Sequence, residues 1–286
     1  MGFTVARNGA VEIVYETLGP STGAPLLLIG GAGTQMIHWP DEFLTALIER
    51  GFQVVRFDLR DSGRSTHCAA SASYGLRDMA DDAVAVLDAL GWASAHIVGV
   101  SLGGMIGQVL AVHHADRVAS LTSIAAAPWF SWRMLRPRLR TMARIMAVYG
   151  RPRRTRDAEI AAWLKLFPLM GSPRYPLDEA WIRDVTGRAY DIAHDPAADR
   201  RQQRAAAAGG DRRPELAGVR APTLVVHGEA DPIQSVRGGR ATAAAVPGAR
   251  LLVLPEVGHG LPPAPIWPRL LDEVVAVARS GGAAIP

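Results

Sequence analysis

The chain has 286 residues, of which 49% are hydrophobic and 20% are charged, and its formal net charge is +4. This length can bury one large core, with or without an insertion, and the composition excludes a disordered chain. The single cysteine, Cys68, excludes an internal disulfide and suits a reducing compartment. Because Cys68 lies in a polar, serine-rich stretch, we expect it to be inert rather than a catalytic thiol.

The N-terminal stretch carries no pattern typical of targeting, and no apolar stretch of the sequence is typical of membrane insertion. The first 20 residues lack a charged start followed by a long apolar core, which argues against a signal peptide. The longest apolar stretch, residues 97–112, is interrupted by glycines, a serine and a glutamine, so a membrane span is not expected. We therefore predict a soluble cytoplasmic protein with no membrane partner.

Charge is distributed unevenly along the chain. Residues 131–213 contain 18 basic and 9 acidic residues, whereas the remainder contains 13 basic and 18 acidic residues. A basic segment is one signature of nucleic-acid binding. Nearly all of these basic residues are arginines spread along stretches that look helical, however, so we interpret them as solvated helix faces and expect no nucleic-acid partner.

Short apolar runs and amphipathic periods alternate along most of the chain. The runs predict strands at residues 11–15, 26–29, 54–57, 96–100, 121–124, 223–227 and 251–254. The amphipathic periods predict helices at residues 41–50, 77–90, 102–113, 239–246 and 267–278. Strands that alternate with helices of this length are typical of βαβ crossovers, so we predict an α/β fold with a mostly parallel sheet flanked by helices.

The alternation stops after residue 124 and resumes only at residue 223. The interval has no strand-like run, and it predicts helices at residues 132–149, 157–167 and 178–193, followed by an Ala- and Arg-rich part with weak boundaries. We therefore expect residues 1–127 and 215–286 to form the core, with residues 128–214 inserted as a helical lid.

One serine stands out between a predicted strand and a predicted helix. Ser101 lies in the sequence GVSLG, so Gly99 and Gly103 flank it at the spacing of a G-x-S-x-G turn. Such a turn lifts the serine hydroxyl to the carboxyl edge of the sheet, where it can act as a nucleophile. The structural alternative is a tight turn in which the serine only caps the helix.

A serine nucleophile needs a base, and the base in turn needs a carboxylate. Among eight histidines, His259 is favoured because it lies in a loop after a late strand, at the same predicted edge as Ser101. Asp231 follows the preceding strand and is our choice for the carboxylate, with Glu229 as the alternative. The other histidines are placed at strand or helix ends or, for His38, His67 and His194, on the surface.

An oxyanion formed at the serine would need two backbone N–H groups. The amide of Leu102 follows the nucleophile and heads a helix whose dipole favours negative charge. The second donor is expected in the glycine-rich bend after the early strand, where we choose Ala32. This bend lacks the GxGxxG and GK[ST] patterns of nucleotide-binding loops, so no cofactor is predicted, and no cluster of metal ligands is apparent.

Substrate contacts are harder to assign. Gly31 lies in the same bend, and the aromatic residues Trp129, Phe130 and Trp132 directly follow the strand predicted at residues 121–124. These aromatics either pack the lid onto the sheet or contact a bulky apolar substrate.

The sequence resembles the α/β-hydrolase family over nearly its whole length. The matching pieces are the IGGAG bend, the stretch DLRDSGRS, GVSLGG, GEADP and GHG, in the order and spacing of that family. The resemblance implies a Ser–Asp–His triad, an oxyanion hole and an inserted helical lid. The stretch LLLIGGAGTQMIHWPDEF, together with Arg60 and Asp61, is similar to the branch of aclacinomycin methylesterase and macrolide or polyketide esterases. Two positions depart from the wider family, because Gly30 stands where many members have His and Asp61 where Gly is commoner.

The expected reaction is hydrolysis of an ester or lactone through an acyl-enzyme, and the expected substrate is a bulky polyketide such as a macrolide lactone or an anthracycline methyl ester. An aspartate in place of Ser101 would instead have favoured epoxide or haloalkane opening. Two alternatives stay open. One is a C–C bond hydrolase or perhydrolase with the same residues, and the other is a receptor-like or scaffold protein that keeps the fold without the chemistry.

Overall fold

The structure is a computed structural model that describes residues 3–129, 139–151 and 153–282. Its strands are β1 (Thr4–Asn8), β2 (Val11–Leu18), β3 (Ala24–Ile29), β4 (Phe52–Phe57), β5 (Ala95–Val100), β6 (Val118–Ile124), β7 (Thr223–Gly228) and β8 (Arg250–Leu254). They form one sheet in the order β1-β2-β4-β3-β5-β6-β7-β8. The first two strands pair antiparallel with their neighbours, and all pairs from β4 to β8 are parallel.

Helices cover both faces of the sheet, as a mostly parallel sheet requires. They are α1 (Asp41–Ile48), α2 (Leu76–Ala89), α3 (Leu102–His113), α4 (Leu139–Tyr149), α5 (Arg156–Met170), α6 (Glu179–Ile192), α7 (Pro196–Ala208), α8 (Arg213–Leu216), α9 (Val236–Ala245) and α10 (Trp267–Ser280). The predicted α/β architecture is confirmed.

The core consists of two apolar layers, one on each side of the sheet. In β3, Leu27 and Ile29 join the layer that contains α2 and α3, whereas Leu26 and Leu28 join the layer that contains α1 and α10. This division follows from the period of two of a strand. The central strand β5 is buried along its whole length, so its carboxyl end emerges from a rigid base.

Each of the seven predicted strands is present in the structure, with ends that differ by up to three residues. Strand β1 was not predicted, because only one of its five residues is buried and its sequence, TVARN, carries no apolar run. The helix predicted at residues 102–113 has the predicted bounds.

Between β6 and β7 the described residues form only helices, α4 to α8, which we call the cap helices. The helices predicted at 157–167 and 178–193 correspond to α5 and α6, and the first seven residues of the helix predicted at 132–149 lie outside the described residues. Helix α7 was missed, although Asp195 caps its first turn and Pro196 opens it. The cap helices have a small core of their own, formed by Ile145, Trp163, Leu166 and Ile182.

Candidate active site

Ser101 occupies the sharp turn from β5 into α3. Its backbone has φ 54° and ψ −113°, a conformation that is strained for a residue with a side chain and costs about 1–3 kcal/mol. A Cβ on Gly99 would overlap the backbone of Gly103, and a Cβ on Gly103 would overlap the carbonyl oxygen of Ile29. The turn therefore requires both glycines. The N–H of Ser101 donates to the carbonyl of Ile124 at 2.8 Å, which fixes the turn to β6.

His259 and Asp231 meet Ser101 at the carboxyl edge of the sheet. The Ser101 Oγ lies 2.9 Å from His259 Nε2, and His259 Nδ1 lies 2.7 Å from Asp231 Oδ2. Because a carboxylate only accepts hydrogen bonds, Nδ1 carries the proton and Nε2 is left to accept from the serine hydroxyl. The three side chains thus form one continuous hydrogen-bonded chain.

Asp231 is held by its own loop. Its Oδ1 accepts from the backbone N–H groups of Ile233 and Gln234, both at 2.8 Å, while Oδ2 faces the imidazole. The residue is 1% exposed, so the orientation of its carboxyl group is fixed from within the protein. Glu229, the alternative carboxylate, is exposed at the loop surface. The geometry therefore favours Asp231.

The loop of His259 is fixed by the end of a cap helix. The N–H of His259 donates to the carbonyl of Met170, the last residue of α5, at 2.7 Å, and the N–H of Gly258 donates to Ser172 Oγ at 3.0 Å. A Cβ on Gly258 would overlap the carbonyl oxygens of Met170 and Gly171. The cap helices thus contribute directly to the position of the imidazole.

The other histidines lie outside the hydrogen-bonded chain from Ser101 to Asp231. His227 is buried behind Asp231, and burial lowers its pKa, so it is neutral and its Nε2 donates to the carbonyl of Gln234 at 2.7 Å. Burial lowers the pKa of His96, at the opposite end of β5, to about 4. The surface placement predicted for His38 is wrong, because it lies half-buried and lines a cavity under the cap helices. His194 is also half-buried there.

The glycine-rich bend after β3 lies beside the nucleophile, as the sequence predicts. A Cβ built on Gly31 would lie 3.7 Å from the Cβ of Ser101, and Ala32 follows it in the bend, packed against the core. Leu102 is the first residue of α3, where backbone N–H groups have no partner within the helix. The bend that holds Ala32 and the first turn of α3 therefore both lie beside Ser101.

A buried glutamine of helix α7 fixes this bend. Gln202 is 0% exposed, and its Oε1 accepts from the N–H of Gly33 at 2.9 Å while its Nε2 donates to the carbonyl of Arg60 at 2.9 Å. The same glutamine thus ties the bend after β3 to the loop after β4. No local sequence signal marks Gln202, because its partners are 169 and 142 positions away.

Asp61 forms the centre of a buried ion pair with α7. The Arg201 Nε and Nη2 donate to both of its oxygens at 2.8 and 2.7 Å, and the Tyr74 hydroxyl and the Cys68 N–H complete the set at 2.7 Å each. Burial opposes ionisation, but the bonds from Arg201 and Tyr74 outweigh it and lower the pKa of Asp61. The φ of Asp61 is 66°, a left-handed conformation that suits glycine. The four hydrogen bonds to its carboxylate offset the strain of this conformation.

Asp61, His67 and Asp195 each bring one oxygen or nitrogen atom to within 4.8 Å of the others, which is a spacing suited to a cation. Arg201 already donates to both carboxylates, at 2.7 Å to Asp61 and 3.1 Å to Asp195. The guanidinium therefore supplies the positive charge that a metal would bring.

Of the three aromatic residues predicted to lie near the substrate, Trp129 is among the described residues. The Trp129 ring stacks against the guanidinium of Arg213, whose Cζ lies 4.2 Å from the ring centroid, so this residue packs against α8. Phe130 and Trp132 lie outside the described residues. The apolar group that does lie close to the Asp231 loop is the core of the cap helices, against which Ile233 packs.

Comparison with known proteins gives a consistent result. The model of the alpha/beta hydrolase fold family matches residues 24–262. The chain is 30% identical to rhodomycin D methylesterase DnrP of Streptomyces peucetius, over 89% of this chain and 91% of that protein. It is 31% identical to rhodomycin D methylesterase DauP of Streptomyces sp. (strain C5), over 88% and 90%.

Among solved structures, the enol-lactonase from Burkholderia xenovorans LB400 superimposes with a TM-score of 0.70 at 25% identity, covering 97% of this chain and 99% of that chain. Within the described parts of the chain, each helix is too short or too polar to cross a bilayer.

Proposed function

Because this chain belongs to the α/β-hydrolase fold family and is a hydrolase, we propose that it is a serine hydrolase that cleaves a carboxylic ester or lactone through an acyl-enzyme. The observation that carries the proposal is the hydrogen-bonded chain from Ser101 Oγ to His259 Nε2 at 2.9 Å and from His259 Nδ1 to Asp231 at 2.7 Å. This order of groups is the one that makes a serine hydroxyl nucleophilic.

In the proposed mechanism, the Ser101 Oγ attacks the ester carbonyl carbon while His259 Nε2 takes the hydroxyl proton. The tetrahedral intermediate collapses as His259 returns this proton to the leaving alcohol, which leaves an ester between Ser101 and the acyl group. Water then attacks the acyl-enzyme with His259 again as the base, and the acid and free Ser101 are released. Asp231 keeps the imidazole in the required tautomer and stabilises its protonated form.

The oxyanion of each tetrahedral intermediate is proposed to bind the N–H groups of Ala32 and Leu102. Two features support this assignment. Leu102 heads α3, whose dipole favours negative charge, and Gln202 holds the neighbouring Gly33, which limits movement of the bend. Preorganised donors of this kind contribute on the order of 3–4 kcal/mol each to lowering the barrier.

The proposed substrate is a bulky polyketide, either an anthracycline methyl ester or a macrolide lactone. Similarity to the two Streptomyces rhodomycin D methylesterases supports the first, and the superimposed enol-lactonase supports cleavage of a cyclic ester by this fold. We also propose that residues 128–214 act as a lid over a core of residues 1–127 and 215–286. A cytoplasmic location, as predicted from the sequence, is part of the same proposal.

The test is a comparison of Ser101→Ala with the native chain on a panel of short aryl esters, anthracycline methyl esters and macrolides. We expect the variant to lose about 10⁴-fold or more in rate while its circular dichroism is unchanged. Ser280→Ala, at an exposed position in α10, is the matched control and should keep full activity. Retained turnover by Ser101→Ala contradicts the proposal.

Mass spectrometry of the products separates the two substrate classes. Addition of one water without loss of a fragment indicates lactone opening, whereas two separate products indicate an ordinary ester. A fluorophosphonate should label the native chain once per molecule and should not label Ser101→Ala. Activity toward a diketone or a peroxide, with no activity toward any ester, would favour the C–C hydrolase or perhydrolase alternative.

A further inference from the structure

A polar cavity lies under the cap helices, beside the glycine-rich bend after β3. It encloses about 80 Å³ and is bounded by the bend after β3 and by helices α5, α6 and α7. At about 10–15 Å³ for each water-sized group, it has room for about five to eight such groups. Neither Ser101 nor His259 lines this cavity, so it is distinct from the groups of the proposed chemical step.

Three buried oxygen atoms of the cavity lining have no hydrogen-bond partner among the described residues: Gln35 Oε1, Glu159 Oε2 and Thr186 Oγ1. Gln35 and Thr186 are 8% and 2% exposed. Such atoms are costly to leave unsatisfied, by about 1–3 kcal/mol each. Three of them on one cavity therefore indicate a site that receives hydrogen bonds from a ligand.

The orientation of two of these groups is determined by their other partners. Gln35 Nε2 donates to the carbonyls of Ala189 and Ala193 at 2.8 and 3.2 Å, so the free atom of the amide is its oxygen. Glu159 Oε1 accepts from Arg153 and from Trp163 Nε1 at 2.8 and 2.9 Å. Its Oε2 accepts no hydrogen bond from the described residues and lies 3.9 Å from His194 Nδ1. The cavity thus offers acceptors, one of which belongs to a carboxylate.

The charges around the cavity do not favour an anion. Arg153 lines it, but this guanidinium is paired with Glu159 at 2.8 Å and lies 3.9 Å from Asp199. His38 is neutral at physiological pH, because burial lowers its pKa to about 4. The lining has four carboxyl groups, because Asp61, Asp195 and Asp199 line the cavity together with Glu159. Two of them, Asp61 and Asp195, accept from Arg201. A ligand that brings positive charge and several N–H donors would match this surface, and a protonated primary amine has three such donors.

The cavity lies within reach of the proposed nucleophile. Gly33 lines it, and Gly31, two residues earlier, has its built Cβ 3.7 Å from the Cβ of Ser101. Two residues span at most about 7 Å, so the cavity wall lies on the order of 10 Å from the serine. A group on the acyl part of a bulky substrate can bridge this distance while its ester lies at Ser101.

From these contacts we propose that the cavity is a specificity site for a protonated amino group carried by the acyl part of the substrate, bound by Gln35, Glu159 and Thr186. The proposal rests on the ester hydrolysis proposed above. It goes further by naming the chemical class of substituent that the enzyme selects.

The test uses methyl esters of straight-chain acids whose far end carries an amino, a hydroxyl, an acetamido or a methyl group. The acids have about eight or ten carbons, because the group must reach roughly 10 Å from the ester. A charged hydrogen-bonded group is worth about 1.5–3 kcal/mol, so we expect kcat/KM for the amino ester to exceed that for the hydroxyl ester by about 10–100-fold. In Glu159→Gln, which keeps the Oε1 acceptor and removes the charge, this ratio should fall to about one. In Thr186→Val it should fall about threefold or more.

Glu179→Gln is the matched control, because it removes a charge from an exposed position of α6 away from the cavity. This variant should keep the native ratio of kcat/KM between the amino and hydroxyl esters. Thr186→Val removes a hydroxyl that has no partner among the described residues, so folding should persist and the comparison stays decisive. Equal turnover of the amino and hydroxyl esters by the native chain, or a preference that survives both Glu159→Gln and Thr186→Val, would overturn the proposal.

Binding to Ser101→Ala separates this proposal from the proposed function. Trp163 lines the cavity, so its fluorescence should report occupancy by the amino ester without any turnover. If the native chain cleaves neither these esters nor the aryl esters, anthracycline methyl esters and macrolides of the first panel, the proposed function fails, and this titration then decides the further inference. Binding of the amino ester that Thr186→Val weakens supports the site, and absence of such binding refutes it.

Discussion

The buried ion pair between Asp61 and Arg201 makes a quantitative prediction about the attachment of helix α7. Replacing Arg201 by methionine keeps much of the apolar stem and removes three charge-assisted hydrogen bonds, two to Asp61 and one to Asp195. Removal of one member of a buried pair costs about 3–5 kcal/mol, because it leaves a charge without its partner. Asp61 would keep the bonds from Tyr74 and Cys68, so we expect a loss near the lower end, about 3 kcal/mol.

The measurement is the free energy of unfolding in urea, followed by circular dichroism and tryptophan fluorescence at neutral pH. Arg204→Met is the matched control, since it places the same substitution at an exposed position of the same helix and should change stability by less than about 0.5 kcal/mol. The double variant Asp61→Asn, Arg201→Met should be more stable than Arg201→Met alone, because it removes the uncompensated charge. A loss in Arg201→Met no larger than that in Arg204→Met would refute the reasoning.

Three further predictions follow from the site. The pKa of Asp61 is lowered in the folded chain, so its ionisation stabilises the fold at any pH above its ordinary pKa. The difference in unfolding free energy between the native chain and Arg201→Met should therefore hold from neutral pH to about pH 4. It should shrink as the pH falls further. Gly258→Ala should lower kcat/KM on an aryl ester about 100-fold with secondary structure intact, because the new methyl group displaces the loop of His259 by on the order of 1 Å. Near-native activity of this variant would contradict the prediction. Asp231→Asn should lower kcat about 10⁴-fold, whereas the kcat of Glu229→Gln should stay within about twofold of the native value in the same initial-rate assay. The reverse result would make Glu229 the carboxylate that orients His259.

The nucleophile turn was predictable because its physical cause is local. A strand that enters a helix directly needs small residues on either side of the bend, and Gly99 and Gly103 are placed where a Cβ would overlap the backbone. Asp231 and His259 were predicted by topology, since loops after parallel strands share one edge of a sheet. The structure brings the three side chains together over sequence separations of 28 and 158 residues.

The contacts of the cap helices were not predictable in the same way. Gln202 and Arg201 lie in an Ala- and Arg-rich stretch without apolar periodicity, so the helix itself was missed. Their partners are 169 and 140 positions away, and no local pattern encodes such pairs. The half-buried position of His38 has the same origin, because other walls of its cavity come from the distant helices α5, α6 and α7.

These contacts also bear on how substrate choice and chemistry are connected. Helix α7 holds the bend after β3 through Gln202 and Gly33, and the segment after α5 holds the loop of His259 through Ser172 and Gly258. The cap helices therefore position the bend of Ala32, one of the two proposed oxyanion donors, and the loop of the proposed base, in addition to lining the amino-group cavity. A movement that carried them away as a rigid body would break the bonds to both loops. Substitutions in the cap that alter substrate preference should consequently change kcat together with KM, whereas a lid that only gates entry would leave the chemical step unchanged.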